Sequence, residues 1–303
     1  MRDFTATSLI GPTATPAQII NASFASCMYH CALQLSKLSI SSTVDALLAP
    51  AVSSLEASWR RITDALDAAI RKEFASILGR MHRIDWSKSL DPAQSMQGSA
   101  YMTDLVTKLS FLRGELLGRL ALGSELRSWV LRLAQTLSAQ FLSHASLLKA
   151  SESGKLRLTS NMTELEMALQ NFVNVGRIPG QRASASTRLE AIGDEYAALR
   201  AFRQLLFADL AGLKDEHLTH PLPVDTLCHC ILARSEPPLT LSLPHQVHGW
   251  SEGEYVLWLS RHGDAEKREL IRKAVQGQSD GSEPAARMVL DVLKRAEDEH
   301  EDD

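Results

Sequence analysis

Cysteine is scarce in this chain, with four residues among 303. A disulfide framework is thereby excluded, and reduced thiols are the expected state. Aromatic side chains make up only 6%, and neither sign of charge dominates, the formal net charge being −4. Long apolar runs are missing too. No stretch reaches the roughly 18 apolar residues that a membrane-spanning helix needs. The opening MRDFTATSLIGPTATP holds no apolar segment of secretory-signal length, so the expectation is a protein made and kept in the cytosol. Disorder throughout is excluded by the opposite count: 45% apolar and 22% charged residues match an ordinary globular composition.

The charge is distributed unevenly. Residues 1–150 carry 15 Lys+Arg and 11 Asp+Glu, whereas residues 151–303 carry 17 and 25. Six of those acids lie in the closing EDEHEDD, Glu297–Asp303, which is expected to be a frayed, solvated end. Neither half is basic enough to predict nucleic acid as a partner.

What the chain has is helical periodicity. Thr15-Pro16 is a helix start, with a capping hydroxyl followed by proline at the first helical position. The face predicted to follow is Ile19, Ile20, Ser23, Phe24, Cys27, Cys31 and Leu35. Pro50 is expected to open a second helix whose apolar row is Val52, Leu55, Trp59, Ile62, Leu66, Ile70, Phe74, Ile77, Met81 and Ile84, in steps of three or four. Asp91–Ala100 reads as a loop. A third helix uses Leu105, Leu109, Leu112, Leu116 and Leu120. After the break at Gly123-Ser124, a fourth uses Leu126, Val130, Leu133, Leu137, Phe141 and Leu148. A fifth uses Leu158, Met162, Leu165, Leu169 and Phe172. Val175–Ser186 reads as a loop, and a further helix spans about Thr187 to Leu213.

From His220 five prolines, Pro221, Pro223, Pro237, Pro238 and Pro244, bracket one short helix at about Val224–Arg234. Three more follow, at about Ser251–Arg261, Asp264–Gln276 and Glu283–Glu299. EPPLTLSL has room for one short strand, although its prolines argue against a central one. The fold class expected is all-α: an elongated stack of antiparallel helical bundles. Its two domains are residues 1–150, a bundle of long helices, and residues 151–303, a C-terminal bundle with Pro-rich loops and the acidic tail.

Reactive groups do not assemble at this level. Glu164 and Glu166 are two apart on a helix and point about 200° apart, so they flank the apolar row. Gly154-Lys155 lacks the earlier glycine and the following Ser or Thr of a phosphate loop. No His-Glu-x-x-His pair occurs. Cys27 and Cys31, with His30 beside them, read as small core residues. Gly114-x-x-x-Gly118 reads as close helix–helix packing in water, because Arg113, Glu115 and Arg119 exclude lipid. Arg177, Arg182 and Arg188 form a basic loop, and three charges at about 1 kcal/mol each would hold anionic lipid only weakly.

Cys228, Cys230, His245 and His248 form a Cys₂His₂ zinc set by residue type. Their spacing is poor, since Cys228 and Cys230 diverge on a helix. A zinc-binding regulator or enzyme centred on Cys228–His248 therefore stands as a rival reading. The main expectation is a non-enzyme, with no catalytic, cofactor-binding or metal residue.

Several blocks carry a family resemblance. SESGKLRLTSNMTELEMAL contains Glu152, Gly154, Lys155, Arg157, Leu158, Glu166, Ala168 and Leu169 in the pattern of a signature near the C-terminus of subunit 5 of the conserved oligomeric Golgi complex. YAALRAFRQLLF, Tyr196–Phe207, and the Trp-Ser and charged-helix segment Gly249–Val275 continue it in order. Residues 1–150 resemble that family in helical texture. The family's proteins are longer and have an N-terminal coiled-coil region, so the chain is expected to correspond to a C-terminal portion.

The resemblance implies a non-enzymatic helical-rod subunit of a Golgi vesicle-tethering complex. Such a complex acts in intra-Golgi retrograde transport on the cytosolic face of Golgi membranes. It implies other subunits as partners, subunit 7 first and then 6 and 8, together with SNAREs, small GTPases and coiled-coil tethers. Membrane association would be peripheral, through the complex, and no nucleic acid is implied. A helical scaffold of another tethering complex, exocyst-like, is the third reading.

Overall fold

The computed structural model describes residues 9, 11–38, 42–89, 98–175, 189–235, 240–279 and 283–301. All regular structure among them is helical, so the all-α class is borne out and the short strand suggested for EPPLTLSL is absent from its described part, residues 240–243. The basic loop with Arg177, Arg182 and Arg188 lies outside the described residues, as do most of the loop Asp91–Ala100 and the last two residues of the tail.

The helices in chain order are α1 (Pro16–Lys37), α2 (Ser42–Gly79), α3 (Ala100–Phe111), α4 (Gly123–Ser146), α5 (Glu152–Phe172), α6 (Asp194–Leu205), α7 (Glu216–Thr219), α8 (Val224–Ala233), α9 (Pro244–His248), α10 (Glu252–Leu259), α11 (Asp264–Gln276) and α12 (Pro284–Glu301). Two compact units are distinguishable. The first comprises Met1–Phe74, Asp104–Ala134 and Leu165–Ala191; the second comprises Ala75–Thr103, Gln135–Glu164 and Ile192–Asp303.

In the first unit, α1 begins as its sequence requires. The Thr15 hydroxyl accepts from the Gln18 amide at 3.3 Å, and Gln18 Oε1 accepts from the Thr15 amide at 2.8 Å. This reciprocal pair satisfies two of the donors that a helix start leaves open. The face expected to be buried is a different matter. Ile20 and Phe24 are 54% and 58% exposed, and Cys27 and Cys31 are exposed as well. The buried face is Gln18, Asn21, Ala22, Ala25 and Ala32. That face, three of whose five residues are alanine, lies toward the turns that follow α3. Polar links hold it there. Ser26 Oγ accepts from the Ala121 amide at 3.0 Å, and the Glu115 carboxylate accepts from the Ala14 amide at 3.3 Å.

Helix α2 starts earlier than Pro50, at Ser42, and carries that proline inside it. Its 38 residues rise about 57 Å at 1.5 Å each. The predicted row is real, but its burial is graded. Val52 and Leu55 are half-buried, whereas Trp59, Ile70 and Phe74 are buried. The α-helix ends at Gly79, and a 3₁₀ turn, Arg80–Arg83, continues the chain.

The third predicted helix is broken up before Leu120. It is α-helical to Phe111, widens into a π segment at Leu112–Leu116, and tightens into a 3₁₀ turn at Leu117–Arg119. Here the Gly114-x-x-x-Gly118 pair has a local role rather than an interhelical one. A Cβ on Gly118 would stand 2.6 Å from the Arg113 carbonyl oxygen, whereas one on Gly114 would meet nothing within 4 Å.

In the second unit, α8 packs on α11 and α12, α11 on α9 and α12, and α6 on α7. The three closing helices match their predicted positions closely. The acidic tail does not simply fray: α12 continues to Glu301, and Glu297 pairs with Arg272 of α11. The helix predicted from about Thr187 to Leu213 is much shorter. Gly193, at φ 89°, stops any helix before it, and α6 ends at Leu205. Short helix α9 occupies part of the stretch expected to be proline-rich loop, and α7 forms just before it.

The fifth predicted row is buried throughout: Leu158, Met162, Leu165, Leu169 and Phe172 are each at most 1% exposed. Burial of this kind contributes roughly 1.5–3 kcal/mol per side chain. One polar residue shares α5's inner side. Asn161, fully buried, donates to Ser99 Oγ at 2.8 Å and to the Tyr101 hydroxyl at 2.9 Å. Asn161→Ala leaves both hydroxyls short of a partner inside the protein. The expected loss is about 2–3 kcal/mol in urea unfolding, and a loss below ~0.5 kcal/mol would show that the network is dispensable.

Candidate functional site

The four zinc-type residues do not converge. Cys228 and Cys230 are both buried on α8, and burial pushes the Cys228 thiol well up, away from the thiolate a metal requires. Burial raises the Cys230 thiol also, against the opposing Arg234 guanidinium. His245, on α9, lies beside Tyr255 with ring centroids 5.7 Å apart, and its Nδ1 has no partner. His248 stacks on Trp250 at 5.2 Å. Among the described residues, no three or more His, Cys, Asp or Glu side chains are placed to hold a metal ion.

What the second unit does bring together is a set of histidines far apart along the chain. His82, on the 3₁₀ turn after α2, places Nε2 2.8 Å from Nδ1 of His144 on α4. One ring donates and the other accepts, so the two cannot both carry a proton at the facing nitrogens. Burial, with His82 adding to it, holds the His144 imidazolium down to about 3. Burial likewise lowers His82, with Glu252 opposing and His245 reinforcing. On α8, His229 is fully buried; its Nε2 lies 2.8 Å from the Tyr255 hydroxyl and its Nδ1 3.4 Å from Ser146 Oγ. Burial and then His245 lower it to about 3.

Ser146, His229 and Tyr255 have the residue types of a nucleophile and its base, but not the setting. All three are buried, and the serine hydroxyl donates to the Ser143 carbonyl at 3.0 Å. Its proton is therefore committed to backbone, and the group acts as core.

The blocks that carry the family resemblance have structural roles that can be named. At Gly154, a Cβ would lie 2.3 Å from the Trp86 carbonyl oxygen, so only glycine lets α5 start against that strand of backbone. Ser151 fixes the same junction, accepting from the Gly154 amide at 3.2 Å while donating toward Trp86 and Lys88 carbonyls. Arg157 lies 5.8 Å from the Trp86 ring, and Lys155 pairs with Glu152 at 2.6 Å. Glu164 and Glu166 are half-buried flanks of the row, in line with the sequence reading.

In the Trp-Ser block, Gly249 ends α9 in the left-handed region at φ 68°, and Ser251 starts α10 with a capping box through Glu254. Trp258 and His262, one turn apart, stack at 4.1 Å. The YAALRAFRQLLF block buries Leu199, Phe202 and Leu205, and its helix end is held by Arg234, which donates to the carbonyls of Leu205 at 2.6 Å and Ala208 at 3.1 Å. The His82–His144 pairing left no sequence signal, because 62 residues separate the partners. Trp258 and His262 could have been found by their four-residue step.

With these positions in place, comparison with known proteins bears the resemblance out. Over 90% of its length the chain is 30% identical to conserved oligomeric Golgi complex subunit 5 of Arabidopsis thaliana, covering 32% of that protein. It is 23% identical over 86% of its length to the Mus musculus protein of the same name, covering 31% of it. The Dictyostelium discoideum protein of that name matches at 25% identity over 43% of the chain. The chain thus spans about a third of the length of the first two relatives. No family model and no solved structure matches.

Two outcomes are expected from this geometry. Because folding lowers the pKa of the buried histidines, the unfolded chain binds more protons below pH ~6.5, so stability falls as pH drops. By pH 5 the loss is about 2 kcal/mol for each histidine held down to about 3. Urea midpoints measured from pH 7.5 to 5 check this, and a flat profile contradicts it. Separately, Gly154→Ala should destabilise by about 1–3 kcal/mol through forced backbone movement. Gly253→Ala on α10, where a Cβ meets nothing within 4 Å, should be neutral or slightly stabilising in the same thermal melts.

Proposed function

The chain is a relative of conserved oligomeric Golgi complex subunit 5, and from that premise we propose that it serves as a non-enzymatic, helical part of a Golgi vesicle-tethering complex in intra-Golgi retrograde transport. The observation that carries this reading is the 30% identity over 90% of the chain to the Arabidopsis thaliana protein of that name. Support comes from the resemblance blocks, whose Gly154, Ser251 and Leu205 have defined packing or capping roles. Among the described residues no helix is long and apolar enough to cross a membrane. That is compatible with peripheral attachment, through the complex, on the cytosolic face.

The mechanism is associative. Buried rows hold each helix to its neighbours, and exposed apolar side chains dock another subunit. The surface we put forward for that contact is the outward row of α1, with Ile20 and Phe24 more than half exposed. Subunit 7 is the proposed first partner, followed by 6 and 8, with SNAREs, small GTPases and coiled-coil tethers at greater remove. A stable contact buries about 1,600 Å² in total, so one helix row supplies only part of it.

Affinity purification of the tagged chain from cells that contain the complex tests this. Recovery of Golgi tether subunits, identified by mass spectrometry, is the expected result. Recovery of exocyst subunits instead would replace the reading with the scaffold alternative. Ile20→Asp with Phe24→Asp should reduce recovery at least tenfold while leaving the melting temperature within about 3 °C. Unchanged recovery would remove α1 from the interface.

A further inference from the structure

The outward side of α1 carries a pair of groups that no role described so far uses. Cys27 and Cys31 are both exposed free thiols. They stand four residues apart on one helix, so their side chains share a face, one above the other. The two are hydrogen-bonded to each other, and that contact raises the Cys31 thiol above its ordinary range. From Pro16 to Ser36 the helix has no Asp, Glu, Lys or Arg. No carboxylate of α1 therefore competes for a cation there, and no ammonium of α1 pairs with a thiolate.

Geometry decides what such a pair can take. Cβ atoms at this spacing are about 5–6 Å apart in a helix. A disulfide needs about 3.5–4.5 Å, so direct S–S closure would require the helix to open. An ion set between the sulfurs needs no such movement, because two metal–thiolate bonds of about 2.3 Å span up to about 4.6 Å. Chemistry then narrows the ion. Thiolates select soft cations, chiefly Cu(I) and Zn(II), and a closed zinc site takes four ligands. His30 is the next donor in sequence, but its ring lies edge-on to Tyr29, with centroids 5.4 Å apart. Among the described residues no group of three His, Cys, Asp or Glu side chains is placed to hold a metal. Two sulfurs alone suit an ion content with two ligands in line, as Cu(I) is.

We propose that Cys27 and Cys31 form a binding site for one Cu(I) ion, held between their two sulfurs on the surface of α1. Each thiol gives up its proton to solvent as it binds, copper keeps its oxidation state, and the loaded pair carries one net negative charge. The other two cysteines take no part, since Cys228 and Cys230 are buried on α8. The site is independent of the docking role put forward for Ile20 and Phe24 on the same helix.

The test is an anaerobic competition for Cu(I) between the full chain and the chromophoric chelator bathocuproine disulfonate, with ascorbate as reductant. Retention of a single copper per chain is expected. Cys27→Ser and Cys31→Ser should each weaken it at least about a hundredfold, since loss of a mere hydrogen-bond partner of a ligand already costs about tenfold to hundredfold. Both positions are exposed, so an unchanged melting temperature certifies the fold. Cys31→Ser with Gln34→Cys keeps two exposed thiols on α1 but sets them two turns apart, and should bind as weakly as the single variants. No retention by the unaltered chain, undiminished retention in Cys27→Ser, full retention by the displaced pair, or a copper-bridged pair of chains in size-exclusion chromatography would each overturn the proposal.

Discussion

An amphipathic helix buries one stripe of its surface, and the long helices α1, α2 and α5 are organised by which stripe that is. On α5 the choice is unambiguous, because five large apolar residues stand in line and each is sealed from solvent. On α2 the same row is half-open at its start and closes toward Phe74. On α1 the choice goes the other way, with alanines inward and Phe24 outward. The hydrophobic effect alone would have put Phe24 inside. It does not: α1 turns its alanines toward the turns after α3, where the Ser26 and Glu115 links hold it.

That contrast explains how much of the fold was legible in the sequence. Starts and stops written in local chemistry were readable: the Thr15-Pro16 cap, the helix start near Ser251, and the beginning and end of α11. Rows with large residues at regular steps were readable as well. What could not be read were features set by a partner distant in sequence. The inward face of α1 is one, and the shortening of the helix expected from Thr187 is another, where a positive φ at Gly193 intervenes. Pro50 misled because proline is a good first helical residue, yet here α2 starts eight residues earlier. The His82–His144 pair was invisible, since nothing in either local sequence marks a partner. The Cys228–His248 set shows the converse: residue types suggested a centre, and the structure buries both cysteines on α8.

Histidine, serine and tyrosine meet in the second unit, but burial turns them into a neutral hydrogen-bonded core instead of a reaction centre. Neutrality has its own requirement, since each of these imidazoles is tolerated only while it carries no proton. The glycine and serine at the start of α5 and the arginine that ties off α6 belong to the same economy of fit. They make junctions between helices possible.

The wide π segment at Leu112–Leu116 has a further implication for how such a chain tolerates change in length. A π turn holds one residue more than an α turn over the same rise. Excising a single residue there would let the backbone relax into ordinary α geometry without dragging the flanking helix out of phase. Ancestral insertions and deletions are normally confined to loops, but this spot gives a helix interior its own slack, a place where descent could add or remove one amino acid and leave the apolar rows on either side facing the way they did before.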